Sequence, residues 1–457
     1  MKKNLFLMSV LILSLTILMA VPMNAIAVSS FTNPSPGDWT TFNFDYNNSR
    51  YNPTSTITSS NVGSLAQVWH FPTASTVTSQ PVVASGVVYF DDWDGNVYAL
   101  TLSTGSKIWS TNMGGNISAS LTLANGVLYG GMNPYGPVPM VFALDATTGN
   151  LLWKKTITNT NETSVWATPV VYSNLVIVGI AGFGSVEQNT SKGGEIVALN
   201  AQTGLMVWSF KTGVSKVGGA AVWGTVALDP TLGYIYFGTG NAYTRTAQNS
   251  SAYSYSLICL NVATGKEVWI YTAYKFKGDD DFGSSPNLFT ISGHKAVGLG
   301  GKDGDYYVLD RVTGKLLHKF VLSAGVTGQG VTGVAGFIYT TSSTTPEIFV
   351  PVNYDTTKTC CARITAILPS TNKIAWRFKT AGPHVVGSVT VIPGAIIFGD
   401  TGGNLYALST STGALLFHTL LPSSIGSGIT ASEGYILVTI GTPGYSPLTQ
   451  YGLYAFT

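Results

Sequence analysis

The 457-residue chain carries 52 glycines, 45% hydrophobic residues, 10% charged residues and a formal net charge of +2. So few charged residues exclude an ordinary helical protein, whose exposed faces need Glu, Lys and Arg. A near-neutral balance with no Lys/Arg run excludes the electrostatic footprint of a nucleic-acid binder. What remains is sheet structure with many tight turns.

The first element is a leader. Lys2 and Lys3 precede a Leu/Ile/Val-rich run from Leu5 to Val21, and Ala25-Ile26-Ala27 supplies a small-x-small cleavage signature. The pattern predicts a signal peptide over residues 1–27, a mature domain over 28–457, and a periplasmic, extracellular or cell-surface destination. No cysteine follows the run to accept a lipid, and no later stretch has the length and apolarity of a stable membrane span. Sequons at Asn47, Asn116, Asn161, Asn189 and Asn249 carry no functional reading in a chain this rich in Asn, Ser and Thr.

One unit then recurs down the chain: a short apolar strand, a Thr-Gly turn, and a strand bearing an aromatic residue. It runs Val97-Tyr98-Ala99-Leu100, Thr104-Gly105, Trp109, and again Val141-Phe142-Ala143-Leu144, Thr148-Gly149, Trp153. Further copies centre on Ala198 with Trp208 and on Cys259 with Trp269; degenerate copies end on His318, Trp376 and Phe417. The turn glycine is replaced once, by Asn372, the non-glycine residue best able to hold a left-handed conformation, so the position demands a positive φ. Seven copies are whole, and the eighth is split between Leu453-Tyr454-Ala455-Phe456 and Val68-Trp69. Pairing the last strand with the first removes the free edge of an open array, so the expected fold is an all-β, eight-bladed β-propeller closed by its termini.

The Ala-Leu-x-x-x-Thr-Gly-x-x-x-Trp core resembles the tryptophan-docking repeat of the pyrroloquinoline quinone (PQQ) dehydrogenases over nearly the whole mature chain. Asp38-Trp39, Asn48-Ser49-Arg50-Tyr51-Asn52-Pro53 and Asn61-Val62-Gly63-Ser64-Leu65 are similar to that family's N-terminal signature. The same repeat also builds cofactor-free envelope scaffolds, so fold alone does not fix activity.

In a blade of strands A to D, the B-C loops and the D-to-next-A connections emerge at one end of the ring, and the Thr-Gly turns at the other. That scheme places Glu187, Asn241, Lys302, Cys360 and Cys361 in B-C loops, and Trp223, Asp279, Asp280, Asp281 and His384 in D-to-A connections. All share one face. The resemblance implies roles for several of them. Trp223 would be the floor under PQQ, where an indole face offers stacking. Asn241, after Gly238-Thr239-Gly240, would give an oxygen to Ca²⁺, a hard ion that takes amide and carboxylate donors. Asp281, selected by Asp-Phe-Gly and the following Pro286, would contact the metal and act as general base. Gly283 stands where lanthanide-using relatives carry an extra aspartate, which points to Ca²⁺. Glu187 is the candidate metal glutamate and Glu195 its alternative. Lys302 would reach the quinone carbonyls, where a cation stabilises developing negative charge. Cys360 and Cys361 are candidates for a vicinal disulfide beside the cofactor, with free thiols or a metal contact as alternatives. His384 matches nothing in the family pattern, and Cys259 is a small buried residue of a repeat strand.

The function implied is a PQQ- and Ca²⁺-dependent dehydrogenase that oxidises an alcohol or sugar hydroxyl, small or polymeric. No Cys-x-x-Cys-His haem motif is present, so electrons would leave to an external cytochrome or cupredoxin-type carrier. A non-catalytic envelope or surface scaffold is the alternative. Hydrolysis has neither a Ser/His/Asp spacing nor a His-rich metal set to support it.

Overall fold

A computed structural model describes residues 37–132, 138–157, 163–182, 193–213, 219–242, 253–273, 279–323, 331–339, 345–353, 361–445 and 450–457. Eight antiparallel sheets follow one another along the chain, each with its four strands in sequential order, and a short extra strand, Thr163–Ser164, joins the third. The first complete blade comprises Val82–Ala84, Val87–Asp91, Asn96–Thr101 and Lys107–Asn112. The eighth is closed as the split repeat predicts. Gln67–Pro72 pairs antiparallel with Gly452–Phe456, with Trp69 opposite Ala455.

Packing between blades explains the aromatic residue in each repeat. Trp69, Trp109, Trp153, Trp208, Trp269 and Trp376 each lie against the turn of the next blade, and each indole N–H donates to a backbone carbonyl there: Leu102, Ala146, Ala201, Val262, Arg311 and Thr410 respectively. The turn glycines therefore answer two demands. Gly105 has φ +67, and a Cβ there would come within 2.8 Å of the Trp69 ring. Asn372 has φ 53, as the sequence requires, and its turn belongs to the blade that follows His318. The one turn that lost its glycine is thus the one whose preceding blade presents His in place of Trp.

The N-terminal signature has a role its sequence does not announce. Residues 39–52 run around the inside of the ring and meet the inner strand of every blade in turn. Trp39 exchanges two hydrogen bonds with Val83, Leu123 N–H donates to Thr40, and the Tyr46 hydroxyl donates to Val171. Leu228, Leu288, Phe337 and Val391 N–H groups donate to the carbonyls of Tyr46, Asn47, Ser49 and Arg50, and the Asn52 amide reaches Ala431 in the eighth blade. Arg50, fully buried, donates to the Val389 and Phe42 carbonyls, Asn43 Oδ1, Gln80 Oε1 and Thr390 Oγ1 at 2.7 to 3.1 Å.

Candidate functional site

Consecutive blades supply the site. Trp223 lies in the connection that leads into Ala227–Asp229, and Asn241 follows the strand Tyr234–Gly238. Asp279 and Asp281 lie in the connection into Asn287–Ile291, and Lys302 follows His294–Gly300. Backbone bonds lock these loops to one another. Ala220 N–H donates to the Asn241 carbonyl, Gly240 N–H to Ala221, and Lys302 N–H to Asp281 at 2.8 Å.

The side chains meet as that framework directs. Lys302 Nζ is 2.8 Å from Asp279 Oδ1 and 3.0 Å from Asp281 Oδ1, and it lies 4.8 Å from the centroid of the Trp223 ring. Asn241 Nδ2 donates to Asp279 Oδ1 at 2.7 Å. The three aspartates do not form a solvated acidic surface loop: Asp280 and Asp281 are buried and only Asp279 is exposed. Burial raises the Asp281 carboxyl above its ordinary value, while the Lys302 charge opposes that shift and Asp279 adds to it. Burial alone would lower the Lys302 ammonium, yet the charges of Asp281 and Asp279 outweigh it and the net shift is upward. Gly283 keeps this geometry open, since a Cβ there would stand 3.3 Å from Lys302 Cγ and 3.1 Å from the Val331 carbonyl.

Asn241 Oδ1 is buried without a hydrogen-bond partner, and Asp281 Oδ1 has only the Lys302 ion pair. An unsatisfied amide oxygen beside a buried carboxylate suits a hard divalent cation, so this donor set fits Ca²⁺ in kind. Among the described residues no three His, Cys, Asp or Glu side chains gather as a metal group. Glu187 lies outside the described residues, and Glu195 heads the strand Glu195–Asn200, paired with Ile180 and Lys211. Trp223 is half-buried, which leaves indole surface for a flat ligand, and Lys302 stands over that surface. Cys361 has φ 101, Cys360 lies outside the described residues, and Cys259 is free and buried.

Two further groups share this end of the ring, and the first of them, Trp93 with Trp166, escapes the sequence reading. The Trp93 and Trp166 rings meet edge-on at 6.3 Å, from a B-C loop and a D-to-A connection. Their signal was available: both are tryptophans outside the repeat position. His384 is 5.8 Å from the Tyr445 ring, and its Nδ1 is buried without a partner.

The family model for the glucose/ethanol/alcohol dehydrogenase β-propeller domain matches residues 39–129 and 154–335. A polyvinylalcohol dehydrogenase of a Pseudomonas species is 24% identical over 437 residues, covering 84% of this chain and 67% of that protein. The quinoprotein alcohol dehydrogenase PedH of Pseudomonas putida is 28% identical over 323 residues, covering 59% of this chain and 53% of its own length. This chain therefore spans between half and two thirds of these relatives. The crystal structure of a quinohemoprotein alcohol dehydrogenase from Comamonas testosteroni superposes with a TM-score of 0.79 at 20% identity, over 93% of this chain and 81% of that one, a likeness of fold.

Proposed function

The chain belongs to the PQQ family, whose members share the glucose/ethanol/alcohol dehydrogenase β-propeller domain, and on that premise we propose that it is an exported PQQ- and Ca²⁺-dependent dehydrogenase acting on an alcohol or sugar hydroxyl. The observation that carries this reading is the convergence of Trp223, Asn241, Asp279, Asp281 and Lys302 from adjacent blades onto one face. Four residue types suited to holding a planar anionic cofactor and a hard cation meet where the fold directs its loops.

PQQ, when bound, supplies the acceptor for the substrate hydride. The chain's own residues do the rest. Trp223 would offer a flat surface for the quinone ring, and Lys302 would supply the positive charge by which an ammonium stabilises a developing oxyanion. Asn241 Oδ1 and the Asp281 carboxylate would hold Ca²⁺, with Glu187 as the candidate third ligand. The Asp281 carboxylate accepts the hydroxyl proton of the substrate, in a site where burial has removed competing water. For Asp281 to do so, Lys302 must release it and turn toward the cofactor. Cys360 and Cys361 would form the vicinal disulfide beside the cofactor that the family resemblance implies. Electrons leave to an external carrier of cytochrome or cupredoxin type. The polyvinylalcohol dehydrogenase likeness favours bulky or polymeric alcohols among the substrates.

A dye-linked oxidation assay on the Ca²⁺- and PQQ-loaded protein tests the shared metal. Exhaustive chelation should abolish activity and added Ca²⁺ should restore it. Activity that survives chelation removes Asn241 and Asp281 as metal ligands.

A further inference from the structure

Two tryptophans at the site end take positions that the fold does not reserve for an indole. Trp93 stands two residues beyond Asp91, as Lys302 stands two beyond Gly300, the register partner of Asp91 in the fifth blade. The same backbone bond fixes both: Trp93 N–H donates to the Thr76 carbonyl at 2.9 Å, as Lys302 N–H does to Asp281 at 2.8 Å. Trp166 lies four residues ahead of the strand Val170–Tyr172, as Trp223 lies four ahead of Ala227–Asp229. Each of the two thus repeats, in another blade, the place of a residue of the candidate site. Elsewhere the first place is held by Ala181, Gly240 and Gly441 and the second by Gly283, Val386 and Gly426, so blade packing does not demand an aromatic ring at either.

The chain holds both rings firmly. The Trp93 indole N–H donates to Thr78 Oγ1 at 2.8 Å, and Asn116 Nδ2 donates to the Trp93 carbonyl at 2.6 Å. Trp166 lies between two anchors. On one side the extra strand Thr163–Ser164 pairs with Gly182 and Ala181; on the other, Thr168 N–H donates to Thr225 Oγ1 in the next connection at 3.1 Å. That bond sets the segment carrying Trp166 beside the one carrying Trp223, and Ala167 and Val222 both lie against Gly179. The Trp93 ring meets that of Trp166 at 6.3 Å and 67°, so the pair carries the aromatic surface on from Trp223, from the fourth blade back to the first.

Both rings are half-buried and keep part of their surface open. Aromatic groups already fixed in place hold a ligand at small cost in entropy. The chemistry of the surface selects what it holds. A sugar needs donors and acceptors around its ring, whereas the indole N–H of Trp93 is already spent on Thr78, so that ring offers area and no spare donor. An alkyl chain needs only the area. We propose that Trp93 and Trp166 are specificity-determining residues, which hold the alkyl chain of an extended alcohol whose hydroxyl lies at Asp281. The inference rests on the dehydrogenase reading and selects chain alcohols over sugars as its substrates.

The test is dye-linked oxidation of hexan-1-ol, ethanol and glucose by the Ca²⁺- and PQQ-loaded protein, with saturation-transfer NMR of hexan-1-ol on the same protein without dye. The wild type should favour hexan-1-ol over both other substrates in kcat/KM. Trp166→Ala should lower the hexan-1-ol to ethanol ratio about tenfold or more, mainly through KM, and Trp93→Ala should lower it in the same sense. Trp166→Phe should restore most of the ratio, because a flat apolar ring remains, and thermal melts separate a lost contact from a lost fold. Saturation should reach the hexan-1-ol methylenes several-fold more strongly from the wild type than from Trp166→Ala. An unchanged ratio in both alanine variants would overturn the proposal. So would glucose as the preferred substrate with its advantage lost in Trp166→Ala, since that assigns the rings to a sugar. A wild type that oxidises no alcohol contradicts the dehydrogenase reading instead; the NMR comparison then decides the subsite, and equal saturation from wild type and Trp166→Ala overturns it.

Discussion

Lys302 Nζ stands 3.0 Å from Asp281 Oδ1 and 4.8 Å from the centre of the Trp223 ring, so one ammonium joins the buried acid to the aromatic face. The contact holds the charge of Asp281 in a place that burial would otherwise deny it, and Asp279 shares the same ammonium. Lys302 is thus both the counter-ion of the two aspartates and a cation over the Trp223 ring.

Lys302→Gln removes that counter-ion and leaves Asp281 buried beside Asp279. Breaking a buried pair costs about 3–5 kcal/mol, and partial exposure of Lys302 with the open position of Asp279 reduces the expected loss to roughly 2–3 kcal/mol. Denaturant melts of the protein without ligand measure it. A loss well under ~1 kcal/mol would show that the ion pair does not hold the site together.

Arg50 makes the corresponding prediction for the body of the fold. It is fully buried, has no carboxylate among its hydrogen-bond acceptors, and burial lowers its guanidinium to about 9. Arg50→Met should cost about 3 kcal/mol or more, because several buried carbonyl and amide oxygens lose their donors together. Arg50→Lys should rescue little, since a single ammonium cannot reproduce the planar fork. Wild-type stability in either variant would show that the segment inside the ring is dispensable.

How far the sequence reveals this molecule follows the repeat. The strand, turn and tryptophan recur at fixed offsets, so blade number, closure and the common face of the site loops are all legible before any coordinates. Pairings made by residues that occur once are not. Nothing in Asn48-Ser49-Arg50-Tyr51 indicates that Arg50 lies at the centre of the ring, because its partners Val389, Thr390 and Gln80 are separated from it by long stretches of chain. The replacement at Asn372 is legible as a φ requirement, while its permission comes from the neighbouring blade, where His318 stands in place of an indole. At the site, Trp223, Asn241, Asp281 and Lys302 meet as their motifs imply. The Lys302 contact with both aspartates depends on side-chain reach that spacing does not encode.

Asp91 escaped notice for the same reason. In its register position five other blades carry glycine, at 131, 179, 238, 300 and 399, yet Asp91 is buried and neither of its carboxylate oxygens has a hydrogen-bond partner. Burial, with Asp92 nearby, raises its carboxyl well above the ordinary value. A raised carboxyl is stable while protonated, so the wild type should lose stability as pH climbs from the ordinary carboxylate range toward the folded value. Asp91→Ala should be more stable at neutral pH by about 1–3 kcal/mol, the cost of an unsatisfied buried polar group, and the gain should shrink in acid. Parallel melts across pH check this; identical pH profiles for both proteins would contradict it.

The central claim, that Trp223 is the surface on which the quinone lies, is tested most directly by PQQ titrations of the wild type and Trp223→Ala in the presence of Ca²⁺, with thermal melts alongside. Removing a large aromatic contact is worth about 2–4 kcal/mol, and the account predicts quinone binding by the wild type and an affinity lower by roughly one and a half to three decades in the variant. The fold should persist, because the blades are joined by the repeat tryptophans and not by Trp223. Equal quinone affinity in the two proteins would contradict the assignment of Trp223, and a folded wild type that binds no quinone at all would return the propeller to the role of a scaffold.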